Sequence, residues 1–597
     1  MKKINIFLIL IAMLSLLALG AVLLFAGEEN NPGNNHENGE DPSYQDHYSG
    51  LLDNNKDIIV KVKEEFAVPG ETGIYEESFQ NSVREKIDTL IENHEYGMDT
   101  PLVIYNPFGT NTQSLYVYFE TEEPYSVSYS IHLPEEEYED FGGNVIPNNP
   151  STSQVHEFQM IGLIPDATNM ITFRLTDKDG KVIIRRFYYQ NANSVEASTL
   201  QLELTQGTKV VENEDKTTSI VPASEEKVAE GMFVTFPVAN EVNPYLRIYD
   251  NDGVQRGEIP LEQYGTKNLL VVNDVMFYKV SDEKLVGVNR LGQVIRVYTA
   301  EGYTFGEDYC LDKNSDILVL ASKDGEYTTH DHILLLDRET KEVTELVDMG
   351  DLLPEYKKIA NRKGKYDWIH LSSIDLVDGN RILVGAEATG TIIKIRRLYN
   401  EPKIAFMVGD TTPFADTSYV EEFFLRVDNE FEMHHNISLI RYQAYDKIRE
   451  SRHYIYLLNT NENAEYAKRE EPYSYYYRYL VDEAEFGVRL VDQFVLPAVD
   501  EDGSVQWYQK HLLVNGDIIP EFHEYDSEFQ LITTYRYVEP VVKKTEEELE
   551  YEEDNPPADA TVLFARVMKY DFLNYYFSEN PVIILPVESE TEEAEEK

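Results

Sequence analysis

Apolar positions fall into three patterns along this chain. From Ile4 to Ala26 they form a near-continuous run, long enough to span a bilayer as a helix. Tyr75, Phe79, Val83, Ile87, Leu90 and Ile91 recur at three- to four-residue spacing. That period predicts an amphipathic helix within a helical segment over 56–98, with Gly97 able to end it. From Pro101 onward the apolar residues come in short alternating stretches such as Leu115–Thr121, Tyr125–Ile131 and Met170–Leu175, divided by Pro, Asn, Asp and Gly. Short strands at this density predict an immunoglobulin-like β-sandwich over 99–200. The helix is expected to pack on that domain or on a partner subunit.

Beyond about residue 205 a loose repeat of strand, polar turn and strand takes over. Leu246-Arg-Ile-Tyr-Asp-Asn-Asp-Gly253, Leu285-Val-Gly-Val-Asn-Arg-Leu-Gly292 and Ile333-Leu-Leu-Leu-Asp-Arg-Glu-Thr340 are three copies, and Ile392–Met407 and Phe522–Ile532 continue the series. Most copies lie roughly 40–60 residues apart, the length of a propeller blade with variable loops, so 205–586 is expected to form a β-propeller. The copies diverge too far to count blades. Closure is expected to set a late strand, Val582–Leu585, beside an early one.

The polar segments complete the layout. Residues 28–55 are rich in Asn, Glu, Gly and Asp and read as an acidic disordered stalk. Thr545–Asp554 reads as an acidic insertion loop, and 587–597 as a solvated acidic tail. Lys2 and Lys3 precede the apolar run and acidic residues follow it, which places the bulk of the chain outside the membrane. The segment 1–27 is therefore a signal peptide or a retained membrane anchor. The protein is expected at the cell surface, facing outward, or secreted.

Composition narrows the function classes. At 597 residues the chain needs two or more domains. Its 42 Tyr and 26 Phe favour strands over helices. A formal net charge of −56 argues against nucleic acid or an anionic lipid surface as the main partner. A single cysteine, Cys310, excludes intrachain disulfides and a cysteine zinc site. It lacks the Cys-x-Pro-x-Arg context of a formylglycine sulfatase and reads as a small buried residue.

Candidate chemistry rests on histidine. Of 13 histidines, His434 and His435 are the only adjacent pair, and His370 sits in Asp367-Trp-Ile-His-Leu371. Both segments border strand-like runs, and imidazole suits nucleophilic and proton-transfer work near neutral pH. If strands converge on one axis, the two segments can face each other. His330 and His332 share a strand face without a third ligand nearby, so no metal site is expected. Tyr473, Tyr475, Tyr476, Tyr477 and Tyr479 read either as a phenol or carbohydrate platform or as alternating exposure on an edge strand.

Two stretches resemble the bacterial arylsulfotransferase family. Pro101-Leu-Val-Ile-Tyr-Asn-Pro-Phe-Gly109 with Leu115-Tyr-Val-Tyr-Phe-Glu-Thr121 looks like its immunoglobulin-like N-terminal domain. Asp367-Trp-Ile-His-Leu371, Gly379-Asn-Arg-Ile-Leu383 and Ile392-Ile-Lys-Ile395 look like its propeller signature. The resemblance implies an all-β, six-bladed, exported protein without metal or cofactor, with its active site in the central channel. It implies sulfuryl transfer from an aryl sulfate donor to a phenolic acceptor through a sulfohistidine. His435 would be the nucleophile and His370 a contact to the sulfuryl group. His434 would line the substrate, or face inward itself if the register differs by one.

This chain departs from the family at three points. Glu387 stands at a family arginine, Phe305-Gly-Glu-Asp-Tyr309 lacks a family histidine, and Ser372 replaces Asn. A carboxylate for a guanidinium changes local charge by two units, worth roughly 4 kcal/mol per charge at close range and intermediate screening. Either another cation substitutes, with Arg441 and Arg396 nearest in sequence, or the enzyme is weak or retired. Two functions follow: an aryl-sulfate sulfotransferase, or a catalytically degenerate surface-anchored propeller that binds a ligand or protein. The sequence leaves homodimerisation open.

Overall fold

A computed structural model of the chain describes residues 54–66, 73–134, 139–149, 151–191, 202–212, 216–237, 244–263, 265–427, 437–445, 451–460, 474–496, 503–516, 520–537 and 565–585. The apolar run 4–26, most of the stalk, the acidic segments 545–554 and 588–596, and His434 and His435 lie outside the described residues. Among the described residues no helix is long and apolar enough to cross a membrane.

The first domain is a two-sheet sandwich. One sheet orders Asn55–Asp57, Val182–Asn191, Ala167–Thr176, Ser126–His132 and Phe141–Asn144, and the other holds Leu102–Tyr105, Ser114–Glu120 and Val155–Ile161. The period of two sorts the middle strand of the smaller sheet. Leu115, Val117 and Phe119 enter the core between the sheets, whereas Tyr116 and Tyr118 point to the opposite face. The helix Glu77–Asn93 covers that face through Phe79, Val83 and Ile87. It therefore packs on the following domain, and it also reaches the propeller. Gln80, fully buried, donates to the Ile74 and Phe108 carbonyls at 2.6 and 2.9 Å and accepts from the Val294 amide at 3.0 Å.

Among the described residues six blade sheets follow, four of four antiparallel strands and two that add a fifth strand, each running outward from an innermost strand. Blade 1 is Arg566–Tyr570, Met232–Phe236, Tyr245–Tyr249 and Gln255–Pro260. Blade 2 runs from Leu270–Val272 to Val294–Tyr298, blade 3 from Tyr303–Leu311 to Val343–Asp348, and blade 4 from Leu371–Asp378 to Lys403–Gly409. Blade 5 runs from Ile437–Ala444 to Gly487–Leu496 and blade 6 from Ser504–Tyr508 to Leu531–Tyr537. Contacts between innermost strands pass around the ring. Asn268 donates to Asp308 and Tyr309, the Ile374 amide to Asp308, the Tyr442 amide to Asp375, and Ser504 to Val567. Arg566 donates to the Lys267 carbonyl and so joins blade 1 to blade 2.

Closure differs from the sequence expectation. The late strand is Arg566–Tyr570, antiparallel to Met232–Phe236, and Val582–Leu585 is not a strand. Past the closing strand the chain crosses to the sandwich. Phe577 packs on Phe141 and Tyr129, and the Ser153 amide donates to the Ile584 carbonyl at 3.1 Å. The early segment Leu202–Gln206 closes the neighbouring blade, as a fifth strand outside Leu531–Tyr537.

A buried ionic latch holds the closing strand. Lys569 bonds Glu524 at 3.0 Å with both side chains 1% exposed, and its ammonium lies over the Phe233 ring. Glu524 also accepts from the Ala229 amide and meets His511, each at 2.6 Å. Lys569→Ala leaves that carboxylate with one charge partner fewer in a dry site. It is expected to cost about 3–5 kcal/mol, read as a lower urea midpoint at unchanged slope.

Candidate active site

Successive strands of a blade run in opposite directions, so the start of the innermost strand and the turn between the second and third strands lie at one end of the channel. Lys267 just precedes the innermost strand of blade 2, and His370 that of blade 4. His330 and Glu387 occupy the second-to-third-strand turns of blades 3 and 4. Glu307 lies on the innermost strand of blade 3, inside a bulge that breaks the ladder between Phe305 and Tyr309. The fold thus gathers residues scattered from 267 to 387 on one rim.

The Asp-Trp-x-His-Leu motif works as an anchor and a pointer. Trp368 and Ile369 are buried, and Trp368 donates from its indole to Asp331 at 3.3 Å. The chain then turns through a left-handed conformation at His370 (φ 43°), and the imidazole emerges one-third exposed. Asp367 faces His370 Nδ1 at 3.0 Å and accepts from the Thr329 amide at 2.8 Å. Burial would lower the His370 pKa, but Asp367 with Glu387 and Glu307 raises it above its ordinary 6.5. The shift favours the protonated imidazole, whose Nδ1 is the nitrogen facing Asp367.

His330 is the complementary imidazole. Its backbone is also left-handed (φ 50°), and its Nδ1 donates to the Leu371 carbonyl at 3.2 Å. Its ring lies edge-on to His370, centroids 5.8 Å apart. A Cβ on Gly306 would come within 3.0 Å of the His330 ring, so the glycine makes room for it. Burial, opposed by Glu307, pushes the His330 pKa down to about 4. The ring is therefore neutral with Nε2 unprotonated. The strand segment 305–309, which has no histidine of its own, receives this one from another loop.

Glu387 stands beside His370. Its amide donates to the His370 carbonyl at 2.9 Å, and its half-buried carboxylate favours the protonated His370. The two arginines proposed as substitutes do not serve. Arg441 grips buried Asp308 with two bonds of 2.9 and 3.1 Å, and Arg396 is exposed on the third strand of blade 4. Lysines instead reach the rim. Lys267 bonds Glu307 at 2.6 Å, and buried Lys279 donates to the Phe305 carbonyl at 3.2 Å and to Asp282 at 3.1 Å. Burial raises the Glu307 pKa less than Lys267, Lys279 and His330 lower it, leaving it at about 2.

His434 and His435 lie outside the described residues. Ile437, the next described residue, accepts through its carbonyl from Ser372 at 2.6 Å, two residues beyond His370. His332 parts from His330 and is buried between Asp331 at 3.6 Å and Glu345 at 3.2 Å. Glu326, Asp331 and His332 converge within 4.8 Å, but Lys357 already sits 3.5 and 3.6 Å from the two carboxylates. Tyr473 lies outside the described residues, and the other four tyrosines of the cluster lie on Ser474–Asp482, third strand of blade 5 and not an edge. Tyr476, Tyr477 and Tyr479 are buried and pack the blades. Cys310 is buried, and its thiol is pushed well above the usual range by burial.

The family model for arylsulfotransferase (ASST) matches residues 217–498, and that for the arylsulfotransferase Ig-like domain matches 102–191. No curated protein matches the chain. Similar solved structures include a complex of KlAtg21 with the coiled-coil of AgAtg16, at 9% identity and TM-score 0.29, covering 62% of this chain and 94% of that one. The WD40 domain of Toxoplasma gondii coronin matches at 9% identity and TM-score 0.29, covering 57% and 76%. An auxiliary nutrient binding protein from Bacteroides thetaiotaomicron matches at 9% and 0.30, covering 72% and 95%. Scores this low leave the fold assignment to the strand connectivity itself.

Proposed function

Because the chain belongs to the arylsulfotransferase family, we propose that it moves a sulfuryl group from an aryl sulfate to a phenol through a sulfohistidine on His435. A nitrogen of His435 attacks sulfur, the S–O bond to the aryl group breaks, and the electron pair leaves on the phenolate oxygen. Protonated His370 hands that oxygen its proton. In the second half the acceptor phenol attacks sulfur, the N–S bond breaks, and His370 takes the phenol proton back. The observation that carries this reading is the Asp367–His370 pair at the channel mouth, 3.0 Å apart. His434 lines the substrate. The run 4–26 carries the chain out of the cytoplasm, so protease added to intact protoplasts is expected to digest it, whereas full protection would refute export.

The acid–base role has a pH signature. kcat/KM is expected to fall as pH rises through the His370 pKa, which lies above 6.5, because the leaving oxygen loses its donor. Asp367→Asn weakens the contact that raises this pKa, so the descending limb should move to lower pH. An unmoved limb would assign the proton to another group.

The carboxylates at the mouth favour the second reading, a degenerate binding propeller. Glu387 repels an anionic ester, so wild-type activity on simple aryl sulfates should be weak. Glu387→Gln is expected to raise kcat/KM about tenfold at pH 6, and Glu387→Arg further. A fall on Glu387→Gln would make the glutamate a contributor to catalysis.

A further inference from the structure

Glu307 is a carboxylate seated among groups built to receive an anion. Lys267 holds it at 2.6 Å, and the Lys267 side chain is 9% exposed. Lys279, 2% exposed, fixes the carbonyl of Phe305 two residues earlier. His330 packs against the intervening Gly306. Lys279 is matched by Asp282 at 3.1 Å, so the positive charge that displacing Glu307 frees at this corner is that of Lys267. The other corner, with Asp367 and Glu387 around His370, is acidic.

We propose that Lys267 forms the sulfuryl-binding subsite of this channel, with Lys279 holding the strand beside it, and that Glu307 is a tethered stand-in which an incoming sulfate ester must displace. The rim location rests on the functional reading above; the anion subsite rests on the ion-pair geometry. A carboxylate oxygen bonded to a buried ammonium occupies the place a sulfuryl oxygen would take. Glu307 can vacate it. Its side chain is one-third exposed. The bulge frees residues 306–308 from ladder pairing, and Gly306 precedes it. Displacement moves Glu307 toward solvent and passes Lys267 to the substrate, with no change of protonation. The subsite therefore supplies the positive charge that Glu387 and the engaged Arg441 do not. It also carries an internal competitor that weakens simple monoanions and favours esters with further contacts to drive the exchange.

The probe is 4-nitrobenzenesulfonate, which presents an aryl –SO3⁻ group with no leaving oxygen, titrated calorimetrically into the full chain. Glu307→Ala is expected to tighten its Kd about tenfold, and Lys267→Met to weaken it by about the same factor. Lys267→Arg keeps the charge and should stay within about threefold of wild type. In the Lys267→Met background, Glu307→Ala should gain little, because no lysine is released to the ligand. Glu307 is partly exposed on a bulge, so its variant decides the matter even if Lys267→Met fails to fold. Unchanged binding in Lys267→Met, or weaker binding in Glu307→Ala, would overturn the subsite. Transfer from 4-nitrophenyl sulfate is followed in parallel. Transfer without these binding changes sinks the subsite and keeps the enzyme. These binding changes without transfer keep the subsite and sink the enzyme.

Discussion

His435→Ala is expected to leave no measurable sulfuryl transfer, a loss on the order of 10⁴-fold or more, the scale of deleting a covalent nucleophile. Neither half of a ping-pong exchange survives without the atom that carries the group. His370→Ala should lower the rate by about 10²–10⁴-fold, the range for a positioned proton donor. The two losses differ in kind. With His370 replaced, a donor whose phenol is already acidic needs no protonation as it leaves, so 4-nitrophenyl sulfate should lose less than phenyl sulfate. With His435 replaced, both should fail equally. Both variants should melt like wild type, since the His370 side chain is one-third exposed and its anchor is Trp368. A fully active His435→Ala with an inactive His434→Ala would shift the nucleophile by one residue.

The second large effect concerns closure. A chain ending at Ala565 is expected to lose cooperative folding of the propeller. It lacks the innermost strand of blade 1, so Met232–Phe236 loses a five-residue ladder. Glu524 loses its ammonium partner, and Val567 and Met568 leave two different core clusters. A chain ending at Asn580 keeps all of these and loses only the edge contacts around Ile584 and Ser153. It should fall by no more than about 2 kcal/mol, two ordinary hydrogen bonds. Equal stability of the two truncations in urea would mean that the ring does not close through Arg566–Tyr570.

Short apolar runs made the sheets legible, as in Ser114–Glu120, where Leu115, Val117 and Phe119 enter the sandwich core and Tyr116 and Tyr118 face the helix. The closing strand escaped notice because Arg566-Val-Met-Lys-Tyr570 carries charges at positions the fold buries, and only the distant Glu524 makes Lys569 tolerable there. Val582–Leu585 offered a better apolar pattern, but Ile584 is bonded to the sandwich. His370 and Glu387 were found together because a local motif and a nearby strand marked both. His330 has no role legible in the sequence, since its setting depends on a left-handed turn and on the space above Gly306. Neither leaves a periodic trace. Lys267 and Glu307 meet across two blades, and Arg441 is claimed by Asp308 across the ring. Pairings of that range are set by topology and cannot be read from spacing.

The account stands or falls on a covalent intermediate. Intact-protein mass is measured after the full chain is mixed with excess 4-nitrophenyl sulfate without acceptor, then again after a phenol is added. The prediction is a gain of one SO3 group in wild type, absent in His435→Ala, that disappears on adding the phenol as the aryl sulfate of that phenol appears. An unchanged mass, with no sulfated phenol formed at any donor concentration, would contradict sulfuryl transfer and leave a binding propeller in its place.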